Sequence, residues 1–266
     1  MNKLLHPRHI VLFVILLTVV VPFVPLLLWS LSEQWFFPAV IPQQFGLRAW
    51  EYIFSTTGQQ IINGLAASFS VATATSVMSL AFGIPAGRAL GLYQFPGKKL
   101  CVILLILPIV VPPLSTSMGL HLWFLQLNLT ETYVGVVLIH LTFCLPYTIF
   151  VLWGVFSDFN PDFEAQARTL GATKLETMIR VTLPMILPGV VVAALFSFLL
   201  SWAQYLCTLI IGGGKVLTLP ILLFSLMDSG DRPVASAVSL IFILPVGAVL
   251  LASAHSLGRH GFRGIR

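Results

Sequence analysis

The side chains able to do chemistry in this 266-residue chain are few, and the largest group of charged ones falls in one stretch. Only 9% of the residues are charged and 58% are hydrophobic, whereas soluble domains carry roughly 25% charge. Glu33, Glu51, Glu131, Asp228 and Asp231 lie between the apolar runs or at their ends. His140 is the one ionisable residue near the middle of a run, where a histidine reads as a hydrogen-bonding group between helices ahead of a proton relay. No paired carboxylates, Ser-Lys pair or His-Glu pair falls at membrane depth, which disfavours an intramembrane enzyme. Cys101, Cys144 and Cys207 are odd in number, lack metal-type spacing and sit in apolar runs, as small buried hydrophobes do. No catalytic, metal or cofactor-binding residue is therefore assigned. The sequence also lacks the G-x-x-x-x-G-K-[ST] phosphate loop, so any nucleotide chemistry belongs to another polypeptide.

The exceptional stretch is Asn160–Pro188, NPDFEAQARTLGATKLETMIRVTLPMILP. Asn160 is a helix cap, Pro161 suits a first helical position, and Asp162 and Glu164 put negative charge in the first turn. The helix predicted over Phe163–Leu170 ends at Gly171. Thr173 and Glu176 have capping-box spacing, so a second helix starts at Lys174 and runs to about Val181. Pro184 and Pro188 are expected to stop it and lead into the next apolar run.

Six runs are long enough to cross a bilayer, which takes about 20 residues. They are Ile10–Leu31, Ile61–Leu90, Leu100–Leu122, Tyr133–Phe156, Pro188–Ile211 and Val234–Leu257. The first exceeds a secretory h-region, and Trp29 and Trp35 follow it as interfacial aromatics in place of a cleavage site. Gly83, Pro85 and Gly87 suggest a bend near the end of the second. The fold class is thus an all-α polytopic membrane protein forming a single transmembrane domain over residues 1–266. With the N-terminus inside, Lys3, Arg8, Arg88, Lys98, Lys99, Arg168, Lys174, Arg180, Arg259, Arg263 and Arg266 lie on the cytoplasmic side. Only Arg48, Lys215 and Arg232 lie outside, a strong positive-inside bias. Both termini and the 160–188 loop are then cytoplasmic. The chain's formal net charge of +5 sits in short loops that set topology, so it implies no nucleic acid.

The loop resembles the EAA motif of permease subunits of bacterial binding-protein-dependent ABC importers. Ala167, Gly171, Val181, Leu183 and Pro184 fall at the motif's spacings, while Ala165 stands where the family usually has glutamate and Glu164 comes one residue early. The stretch from Ser201 to Pro245, with Trp202, Gln204, Tyr205, Thr208 and Thr218-Leu219-Pro220, is similar to permeases related to polyamine, ferric-iron and thiamine importers. The resemblance implies a cytoplasmic-membrane subunit with a two-helix coupling loop between spans four and five. Its contacts with an ATPase would come from Glu164, Ala165, Ala167, Arg168, Gly171, Ala172, Thr173, Leu183 and Pro184, with Glu164 and Arg168 free to pair with that partner. The implied partners are two ATP-binding cassette subunits that bind the ATP, a second permease identical or homologous, and an extracytoplasmic solute-binding protein. That protein would dock over loops including Gly46–Gln60, Gly119–Thr132 and Gly212–Arg232. Trp202, Gln204, Tyr205 and Thr208 are candidates for the path of a small solute, with Gln204 and Thr208 four residues apart on one helix face. The residues alone leave open an ATP-independent channel or secondary transporter.

Overall fold

A computed structural model describes residues 7–261 of the chain. Lys3, Arg263 and Arg266 lie outside the described residues, as do the side chains of Arg8 and Arg259. In chain order the elements begin with helices α1 (Pro7–Val20) and α2 (Phe23–Ser30), strands β1 (Ser32–Gln34) and β2 (Gln44–Phe45), and helix α3 (Arg48–Phe54). Helices α4 (Gln59–Leu92), α5 (Lys98–Val110), α6 (Pro113–Gln126), α7 (Tyr133–Ser157), α8 (Asp162–Thr169) and α9 (Lys174–Thr177) follow. A π-helical turn at Met178–Thr182 precedes α10 (Leu183–Trp202), α11 (Leu206–Gly212), α12 (Leu219–Asp228) and α13 (Arg232–Gly261).

Two compact units divide the chain, Met1–Leu65 with Leu219–Pro245 and Ala66–Thr218 with Val246–Arg266. In the first, β1 and β2 form a small antiparallel hairpin, a departure from the all-helical expectation, with Ser32 opposite Phe45 and Gln34 opposite Gln44. The two expected interfacial tryptophans meet here. Trp29 stacks on Trp35 with centroids 4.4 Å apart, and the Arg232 guanidinium lies 5.5 Å over the Trp29 ring. Arg48 pairs with Asp231 at 2.7 Å.

The second unit is built around α7, along which α10 packs more extensively than any other pair of elements. Val71, Phe124, Val136, Ile139, Phe143, Cys207, Ile211 and Val216 make one buried cluster, and Phe156, Phe159 and Ile186 another. Gly83, Gly87 and Gly91, spaced every four residues on one face of α4, lie against Thr148, Leu152 and Phe156 of α7. A Cβ on Gly87 would stand 2.7 Å from Leu152 Cβ and 3.0 Å from its carbonyl carbon. Small residues let the two backbones approach, as in membrane helix pairs generally. These glycines are thus a packing seam, and α4 is one continuous helix that holds Pro85 within it.

Among the described residues four helical segments are long and apolar enough to cross a membrane: Phe13–Ser30, Gln59–Leu92, Tyr133–Ser157 and Lys174–Trp202. The expected third span is instead a pair, α5 and α6, bent by 105°. Val111 and Pro112 each precede a proline, and each is driven out of the helical region to ψ 133° and 131°. The expected fifth span ends early, at Trp202, and α11 follows a break at residues 203–205. Cys144 and Cys207 are buried as expected, but Cys101 is exposed.

The seam predicts a clear asymmetry between glycines. Gly87→Val should destabilise the protein by about 1–3 kcal/mol through overpacking, lowering its thermal unfolding temperature in detergent. Gly154→Ala, on α7 with nothing within 4 Å of the added carbon, should leave that temperature unchanged.

Candidate functional site

The Asn160–Pro188 loop folds largely as its capping residues dictate. Asn160 Oδ1 accepts the Asp162 N–H at 2.9 Å and α8 follows directly. Gly171 takes φ +91°, a left-handed conformation that a residue with a side chain adopts only under strain. Thr173 then caps α9 in a complete capping box. Its hydroxyl accepts the Glu176 N–H at 3.3 Å, and the Glu176 carboxylate accepts the Thr173 N–H at 2.9 Å. These bonds hold the Glu176 carboxyl below the usual carboxylate range.

The second helix does not stop at its prolines. From Lys174 the backbone continues to Trp202 with Pro184 and Pro188 inside it. Proline removes an N–H and collides with the carbonyl four residues back, which breaks a regular α-helix. Here the wider π turn at Met178–Thr182 comes immediately before Pro184 and relieves that collision. Loop and apolar helix are therefore one continuous rod.

A buried ion pair fixes the other half of the loop. Arg88 of α4 donates two parallel bonds to Glu164 of α8, Nη1 to Oε1 at 2.6 Å and Nη2 to Oε2 at 2.7 Å. Thr182, in the π turn, donates its hydroxyl to the same carboxylate, and Arg168 stands 3.9 Å away. Glu164 is only 6% exposed. The Arg88 hydrogen bonds, aided by Thr182 and the nearby Arg168 charge, hold the Glu164 carboxyl below its usual range against the opposing effect of burial. The Arg88 guanidinium also sits 5.9 Å over the Phe156 ring. Glu164, expected to reach a partner, is instead spent inside the chain, because α4 and the π turn enclose it. Arg88, which the sequence marks only as a topology-setting charge, is the partner of Glu164 that the sequence does not reveal. No spacing rule links residues 76 apart, and the one available signal was a glutamate displaced from its motif position.

The other loop candidates remain at the surface. Ala165, Arg168, Gly171, Thr173 and Pro184 are exposed, while Ala167, Ala172 and Leu183 are half-buried. Beside them Phe163, Leu170, Leu175 and Ile179 turn large apolar side chains outward, with Leu170 89% and Leu175 69% exposed.

At the far end of the rod, Trp202 is buried and stacks on Phe198, with centroids 5.8 Å apart. Gln204 and Tyr205 are half-buried in the break between α10 and α11. Gln204 and Thr208 do not share a helix face; Thr208 is buried and its hydroxyl donates to the Gln204 carbonyl at 3.1 Å. His140 of α7 closes this cluster, with Nδ1 2.8 Å from Ser201 Oγ and Nε2 2.8 Å from Thr208 Oγ1. The histidine thus pins both sides of the helix break, the interhelical role expected of it.

Comparison with known proteins bears on both regions. Residues 80–260 match the family described as "Binding-protein-dependent transport system inner membrane component". The spermidine/putrescine transport system permease protein PotC of Haemophilus influenzae is 27% identical over 211 residues, 79% of this chain and 80% of that protein. The molybdenum transport system permease protein ModB of Mycobacterium tuberculosis is 31% identical over 221 residues, 77% of this chain and 81% of that one. In fold, the chain is similar to a crystal structure of a bacterial ABC transporter involved in import of the acidic polysaccharide alginate. The TM-score is 0.74 at 17% identity, over 93% of this chain and 94% of the other.

Two outcomes follow from the ion pair. Arg88→Leu should cost about 3–5 kcal/mol, because it strands a buried carboxylate, whereas Arg88→Leu with Glu164→Leu should cost less; thermal unfolding in detergent measures both. The Glu164 pKa is depressed in the folded state, so its contribution is complete above the unfolded value of about 4.3 and is lost as pH falls through the lower folded value. Protease resistance of the loop should therefore hold from neutral pH to about pH 5 and decline only below about pH 4.

Proposed function

This chain belongs to the binding-protein-dependent transport system inner membrane component family, and from that premise we propose how its parts divide the work of transport. It is the permease component of an ABC importer, a multi-pass membrane protein without a catalytic role of its own. In our reading it has six spans, with the bent α5–α6 pair as the third and α13 as the last, and both termini face the cytoplasm. The Asn160–Pro188 loop is the coupling element seated in a cleft of a separate ATPase subunit. Two such ATPases, a second permease and an extracytoplasmic solute-binding protein complete the importer. When the ATPases close on ATP, the loop moves with them, and the continuous rod from Lys174 to Trp202 carries that motion across the membrane. At the rod's outer end, in our reading, Gln204 and Tyr205 line the path of a small solute, supported by the buried Trp202 and Thr208 beside the break that His140 pins.

The observation that carries the reading is the division of the loop into two faces. Its acid is held by the chain's own Arg88, while Leu170 and Leu175 are left uncovered by the rest of the chain at 89% and 69% exposure. Exposed large apolar side chains on an otherwise anchored, rigid element mark a docking surface.

Purification of the tagged chain from membranes should recover an ATPase subunit. Leu175→Asp should weaken that recovery by at least about tenfold, as loss of an interface anchor does. Gly171→Pro, which forbids the φ of +91°, should abolish solute uptake. Normal recovery and normal uptake in both variants would overturn the coupling role.

A further inference from the structure

Beside the ion pair lie two adjoining clefts that share Arg88, Glu164 and Arg168. The first, about 180 Å³, is completed by Lys174, Thr177 and Met178. The second, about 270 Å³, is completed by Leu92, Tyr93, Pro161 and Ala165. The charge within them is unbalanced. Arg88 and Glu164 neutralise each other through two short hydrogen bonds, which leaves Arg168 and Lys174 without a full counter-charge. Arg168 reaches Glu164 only at 3.9 Å, with half of its side chain exposed. The acid nearest Lys174 along the chain, Glu176, is turned back onto Thr173 by the capping box. Ala165, on the wall of the second cleft, contributes a methyl group where the related motif carries a carboxylate. With Glu164 held by Arg88, the first cleft keeps two positive groups, Arg168 and Lys174, for a further carboxylate.

The exposed Leu175 follows Lys174 of the first cleft in the chain and belongs to the loop face described above. Resting on that face being the ATPase-docking surface, we propose that the ATPase partner inserts an aspartate or glutamate side chain between Arg168 and Lys174. The loop's apolar side chains then supply contact area, and this carboxylate fixes register and selects the matching ATPase. A charged group at the rim of an apolar contact acts in this way because its misplacement leaves like charges facing each other.

The full chain in complex with the ATPase that co-purifies with it provides the test. A carbodiimide joins an amine and a carboxylate in contact as an amide, with loss of water to the reagent. We expect one cross-link between the chain and the ATPase at Lys174, absent in Lys174→Arg, which keeps the charge but not the amine. Arg168→Lys should gain a second cross-link to the same partner residue. Arg168→Glu should weaken ATPase binding by about tenfold or more, and wild-type affinity should fall as salt rises. Lys174→Arg and Arg168→Lys keep the charge at exposed positions and should unfold at the wild-type temperature, while Arg168→Glu sets a second acid beside Glu164 and is assayed below its own unfolding temperature. No cross-link at Lys174 in an intact complex, or full-strength binding by Arg168→Glu, would overturn the proposal while docking stood. Full-strength binding by Leu175→Asp as well would remove the docking surface itself.

Discussion

The Arg88–Glu164 pair is the constraint on which the rest of the inner end depends. Bringing two full charges together beneath a protein surface costs several kcal/mol per ion in lost hydration. That cost is offset only when the geometry is good and the remaining lone pairs are satisfied. Here the guanidinium and carboxylate meet through two parallel bonds, and Thr182 supplies a third donor. Each participant comes from a different element: α4, α8 and the π turn that feeds α10. The pair therefore joins the loop to two transmembrane helices at once, and α8 cannot tilt independently without breaking charge-assisted bonds in a poorly solvated site.

The glycine seam makes that pairing possible. Gly83, Gly87 and Gly91 let α4 lie against α7 at Thr148, Leu152 and Phe156, and Arg88 follows Gly87 in sequence, facing Phe156 and α8. A bulkier seam would move the guanidinium away from its carboxylate. Close packing in one pair of helices thus fixes an electrostatic contact in another. At the far end of the rod, His140 does comparable work with neutral groups, holding Ser201 and Thr208 on either side of the break.

Local chemistry was legible in the sequence, and non-local chemistry was not. Asn160, Gly171, Thr173 and Glu176 announced their caps and turn because each acts on backbone within a few residues. The apolar runs announced membrane helices for the same reason. Pro184 misled because a proline rule assumes regular α-helix, whereas the chain widened into a π turn before it. The contact made by Gly83 and Gly87 was hidden because a glycine that permits bending looks, in sequence, like one that permits contact. Glu164 was noticed only as a flaw in a motif, since its partner lies on a helix 76 residues away. The early end of the fifth span at Trp202 was hidden because residues on both sides of the break are equally apolar.

The central claim is that the loop and the inner end of α4 move as one body when the ATPase acts. Pulsed electron spin resonance between labels at the exposed Gln94, just past α4, and the exposed Gln166, on α8, tests it directly. In the reconstituted importer the account predicts one narrow distance, the same with and without ATP. A distance that lengthens or divides into two populations when ATP binds would contradict it.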